Sequence, residues 1–171
     1  MFNKTTYIIF SITILFLQIL VLNNITFTSY VVPLLYVSII TIMPLKSTRL
    51  GQILIALPLG MIMDLSMGTF GLNVAATLPV AYFRENILYF CNESVESKKD
   101  GFPSWRTIGH YNFITYVVLM SAVHSVLFFL LESLTFQNFT YQLARFSISL
   151  AITLILNHII LRIFKKKIEE I

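Results

Sequence analysis

Six runs of apolar residues, parted by short polar breaks, make up most of this chain, and within each run the apolar positions fill whole turns, not one face. A helix at a protein–water surface keeps a polar face; one that is apolar all round is solvated by protein or lipid. The pattern predicts helices over residues 6–22, 30–45, 50–65, 70–90, 113–131 and 142–164. Several of these cores fall short of the ~20 residues that cross a typical bilayer, so local thinning or flanking polar residues supply the remainder. Arg84 and Glu85 interrupt the fourth run and mark its end, with residues 87–90 at the interface. The expected fold is all-α: a single polytopic membrane bundle of about six transmembrane helices occupying residues 1–171.

Composition agrees with that pattern. The chain is 57% hydrophobic with a mean hydropathy of +0.81, and six spans in 171 residues leave no room for a separate soluble domain. Its net charge of +4 is first a topology signal, and nucleic acid is not an expected partner. With a cytoplasmic amino terminus, eleven of the twelve basic residues fall on the cytoplasmic side, from Lys4 to Lys167, with Arg145 the exception. The opposite connections, residues 23–29, 66–69 and 132–141, hold no lysine or arginine, so both termini are expected in the cytoplasm. The first run follows Lys4 as a secretion signal would. Asn23, Asn24, Ile25 and Thr26 then stand where a small-residue cleavage site belongs, so a retained span is expected. Lys165, Lys166 and Lys167 would attract anionic lipid.

A lone cysteine, Cys91, rules out an internal disulfide, and His110, His124 and His158 lack metal-ligand spacing. No metal, cofactor or catalytic group is expected. The connector over residues 91–109 mixes Glu93, Glu96, Lys98, Lys99, Asp100, Gly101 and Pro103, and reads as solvated, with Trp105 at headgroup level.

Polar and small residues inside the runs carry the candidate chemistry. Ala56, Gly60, Asp64 and Gly68 recur every four residues on one stripe of the third span, a pattern that lets another backbone approach. Two readings of Asp64 stand: it caps the end of the fourth helix or meets interfacial water, or it is buried or faces a partner. Gly68 and Gly71 mark a tight turn; Asn73, Thr77 and Arg84 follow near one face of the next helix, which Pro79 is expected to kink. The last span carries Arg145, Ser149, Thr153 and Asn157, again at intervals of four. A polar stripe in lipid turns toward protein or a water-filled cavity, so it serves interhelical hydrogen bonding or a transport path. Glu132 is the expected partner of Arg145. A hydrolase would need Asp64, His124 and Ser125 to converge in a water-accessible pocket.

The stretch from Gly60 to Arg84, GMIMDLSMGTFGLNVAATLPVAYFR, resembles the central segment of MreD, a bacterial rod shape-determining membrane protein family. The family's glycine, aspartate four residues later and glycine-containing turn fall on Gly60, Asp64, Gly68 and Gly71. Motif-level likeness covers residues 45–84, and the rest agrees in hydropathy, span number and a basic carboxyl terminus. The resemblance implies a non-enzymatic scaffold of the inner membrane, in the cell-elongation machinery that inserts peptidoglycan along the side wall. Its implied partners are an MreC-like bitopic membrane protein and, indirectly, MreB filaments and a peptidoglycan glycosyltransferase and transpeptidase pair. MreD-like proteins are also considered similar in fold to the substrate-binding membrane subunits of vitamin transporters, so that function stands as the alternative.

Overall fold

Among the described residues four helices are long and apolar enough to cross a membrane, and a fifth, more polar one lies among them. The computed structural model describes residues 4–24, 31–93, 101–133 and 139–169. Helix α1 (Lys4–Phe16) widens at its end into a π-helical segment, Leu17–Leu22. A short helix, α2 (Val37–Thr41), precedes the long pair α3 (Arg49–Met67) and α4 (Leu72–Cys91). A single turn, α5 (Trp105–Ile108), then leads into α6 (His110–Glu132), and α7 (Phe139–Glu169) closes the chain. No strand occurs among the described residues. The four membrane-length apolar segments are Thr5–Leu22, Arg49–Met67, His110–Glu132 and Thr140–Phe164. Helix α4 is 20 residues long but carries Asn73, Thr77, Arg84 and Glu85. Packed between α3 and α6, it meets protein on two sides, and burial in protein removes the need for an apolar surface.

The second apolar run departs from expectation. A continuous helix over residues 30–45 is not formed: residues 31–34 have no regular structure, 35 and 36 turn, and only the five residues of α2 are helical. Pro33 and Pro44 bracket the segment, and proline both lacks an N–H and turns its predecessor away from the helical region. Residues 33–43 are all buried, so the run is apolar because it fills the middle of the bundle, not because lipid surrounds it. Broken backbone at this depth is tolerated when its polar groups find partners in protein. Here the Val32 N–H donates to Ser149 Oγ at 2.9 Å, the Leu34 N–H to Thr153 Oγ1 at 3.0 Å and the Leu35 N–H to Gln18 Oε1 at 2.9 Å.

A second correction concerns the connector. Of its described residues, 91–93 and 101–109, the second stretch is folded, not solvated: Phe102, Ser104, Trp105 and Ile108 are buried. Ser104 and Thr107 form a reciprocal capping box at the start of α5. The Trp105 ring stacks on His110 at 6.1 Å and meets Phe113 edge-on at 4.8 Å. The Leu45 N–H donates to the Gly101 carbonyl at 2.9 Å, and Phe102 lies 5.8 Å from the Tyr7 ring. Contacts of Lys98, Lys99 and the side chains of Lys165, Lys166 and Lys167, including the expected lipid contact, lie outside the described residues.

Candidate functional site

Close packing of α3 against α4 starts from the glycine of the α3 stripe. A Cβ on Gly60 would lie 2.7 Å from Val74 Cα and 3.0 Å from Val74 N, so α3 and α4 touch backbone to backbone there. Ala56, one turn earlier, is fully buried. Gly68 and Gly71 serve the turn instead: their φ angles of 66° and 83° lie in the left-handed region that side-chain-bearing residues avoid. Pro79 sits inside α4 and Pro58 inside α3.

Asp64 ends the stripe and is both buried and a cap. It is 8% exposed. Its Oδ1 accepts from the Asn73 backbone N–H at 2.9 Å and its Oδ2 from the Val74 N–H at 3.1 Å. Gly71, the residue entering α4, has no side chain to cap with, and Asp64 supplies the missing oxygens from the preceding helix. Negative charge at a helix amino terminus is also favourable by the helix dipole. Thr69 Oγ1 and Asn73 Nδ2 donate to the same Oδ1 at 2.5 and 3.1 Å.

From Asn73 the polar contacts run into the centre of the bundle. The Tyr36 hydroxyl, on the turn before α2, donates to Asn73 Oδ1 at 3.0 Å. It also lies 2.9 Å from Thr77 Oγ1 and 2.9 Å from His124 Nε2, and Thr77 Oγ1 is 3.2 Å from the same nitrogen. Tyr36, Asn73, Thr77 and His124 are all fully buried. The cluster ties the broken segment, α4 and α6 together at one point.

The α7 stripe faces the same segment from the other side. Ser149 and Thr153 accept its backbone N–H groups, and Asn157 accepts from Ser38 Oγ while donating to Ser121 Oγ at 3.0 Å. Arg145, the first stripe residue, donates to Glu132 Oε2 at 2.7 Å. Arg84 lies at the opposite end, fully buried, and donates to the Met43 carbonyl where the broken segment ends. Its neighbour Glu85 accepts from Arg49 at 3.1 Å and from Gln52 at 3.1 Å.

The site thus contains residues that the periodicity of the chain did not single out: Gln18, Tyr36, Ser38 and Ser121. Their signal is weak, an isolated polar side chain inside an apolar run. Asp64 is spent on α4, and no hydrogen bond joins Ser125 to His124 among the described residues. No group of three His, Cys, Asp or Glu side chains is placed to hold a metal among those residues. What the arrangement does chemically is fix α3, α4, α6, α7, the π-helical segment and the broken segment in register through buried hydrogen bonds, each costly to leave unmade. No family model, curated protein or solved structure matches this chain.

Proposed function

We propose that this chain is a membrane scaffold of the bacterial cell-elongation machinery, as its resemblance to MreD implies. The observation that carries the reading is where the interior polarity goes. Ser149, Thr153 and Asn157 form the stripe a transport path would use, and all three are engaged with the segment 32–38. A polar interior spent on its own backbone makes a rigid body, and a rigid body presenting apolar faces suits an organising role. In this reading the chain crosses the inner membrane six times, α4 and the broken segment included, with both termini in the cytoplasm. The sorting of Lys46, Arg49 and Arg84 to one end and of Glu132 with Arg145 to the other supports that orientation. The partners proposed are an MreC-like bitopic protein and, through it, MreB filaments and a glycosyltransferase and transpeptidase pair. Anionic lipid would meet the basic carboxyl terminus.

One observation favours the alternative, a substrate-binding subunit of a vitamin-type transporter: broken segments inside membrane bundles are where transporters place ligands. Depletion separates the two. A scaffold's loss rounds elongated cells and disperses side-wall synthesis, and no nutrient restores them. Normal shape with an auxotrophy relieved by one small molecule would overturn the scaffold reading.

A further inference from the structure

Hydrogen counting along the buried cluster gives its bonds a direction. A carboxylate only accepts, so the Asn73 amide nitrogen faces Asp64 Oδ1, and Asn73 Oδ1 is left to face Tyr36. Among the described residues the Tyr36 hydroxyl is the donor that reaches this oxygen, so its one hydrogen points there and not to Thr77 Oγ1, 2.9 Å away, whose own hydrogen is directed elsewhere. Thr77 Oγ1 lies 2.5 Å from the Asn73 carbonyl and directs its own hydrogen to that acceptor. Two hydroxyl oxygens with committed hydrogens then face His124 Nε2, at 2.9 and 3.2 Å. Each can only accept, so Nε2 carries the proton. The reverse assignment, Tyr36 donating to Nε2, strands Asn73 Oδ1 as a buried acceptor and leaves an N–H on Nδ1, which has no partner among the described residues.

We infer that Asp64 is a positioning residue for His124: through Asn73 and Tyr36 its charge holds the imidazole as the Nε2–H tautomer, with an unprotonated Nδ1. The relay couples the α3–α4 turn to the middle of α6, and its bonds keep one direction only while Asp64 is an acceptor at both oxygens. An amide at position 64 lifts that restriction. Its NH2 can donate to Asn73 Oδ1 once the Asn73 amide rotates; Asn73 Nδ2 then donates to Tyr36, and the Tyr36 hydrogen turns to Nε2. The imidazole proton moves to Nδ1. This inference stands apart from the scaffold reading and survives its failure, since it concerns the bundle in any cellular role.

The test is the nitrogen-15 spectrum of histidine-labelled protein in nanodiscs, with the His124 signals assigned by their loss in His124→Asn. Wild-type protein should show Nε2 protonated and Nδ1 unprotonated, and the opposite pattern in the wild type alone would overturn the proposal. Asp64→Asn should populate the Nδ1–H tautomer measurably. Should that variant fail to fold, Tyr36→Phe keeps the ring and the α4 cap, removes the nearer acceptor, and should also raise the Nδ1–H population. Ser149→Ala, a buried polar change outside the relay, should leave the tautomer as it was. A shift as large in Ser149→Ala as in the relay variants would mean general loosening, and an unchanged tautomer in all of them would equally sink the coupling.

Discussion

Both oxygens of Asp64 accept backbone N–H groups of α4, and that fact ranks its substitutions. Asparagine keeps one acceptor but must turn its NH2 toward a backbone N–H, so Asp64→Asn should cost about 1–3 kcal/mol, the range for a buried group left unsatisfied. Leucine offers no acceptor at all and should cost more; thermal unfolding in detergent that ranked the two equally would show that the cap is not the role of Asp64. The hydroxyls of α7 follow the same logic. Thr153→Val leaves the Leu34 N–H without its acceptor at a buried site, so about 1–3 kcal/mol is expected there as well. Ser147→Ala, at an exposed hydroxyl bonded within its own helix, should be nearly neutral. At Glu132, Arg145→Ala removes a short charged bond, about 1.5–3 kcal/mol. Adding Glu132→Gln should restore part of that, because an amide is less costly than a carboxylate to hold near lipid.

Between elements, backbone proximity decides. A leucine at position 60 would drive its Cβ into the Val74 backbone, whereas Leu54 lies on the exposed side of α3. Gly60→Leu should therefore disrupt the fold or its complexes, while Leu54→Ala leaves both intact; equal yields in size-exclusion chromatography and pull-down would contradict the close approach. This contact was legible in sequence because small residues every four positions have one physical use, and the turn was legible because Gly68 and Gly71 stand where left-handed backbone is needed. The second run was not legible. Its apolarity has two causes, lipid around a helix or protein around an irregular chain, and hydropathy does not separate them. Pro33 and Pro44 were the clue, and the stripe on α7 was its complement: Ser149 and Thr153 answer backbone donors that exist only because the helix is broken. The packing of Trp105 was not legible for a related reason: its partner rings, His110 and Phe113, come from the next helix.

For the whole molecule the deciding question is which end faces the cytoplasm, and Cys91 can answer it. It is the sole thiol, at the end of α4 that carries Arg84 and Glu85. The proposed topology, which rests on the charge asymmetry, has that end inside. An impermeant maleimide applied to intact spheroplasts should leave Cys91 unlabelled, and the same reagent should label it once the membrane is opened. Partial burial raises the thiol pKa above its ordinary value, and the thiolate is the reacting form. The sign follows: less thiolate is present at neutral pH than on a free cysteine, so labelling in opened membranes should be slow there and accelerate as pH rises toward the thiol's pKa. Running both arms at mildly alkaline pH separates an inaccessible side of the membrane from a sluggish thiol. Labelling of intact spheroplasts at the rate seen in opened ones would place Cys91 outside. It would invert the topology and move the Glu132–Arg145 end, with the α3–α4 turn, into the cytoplasm.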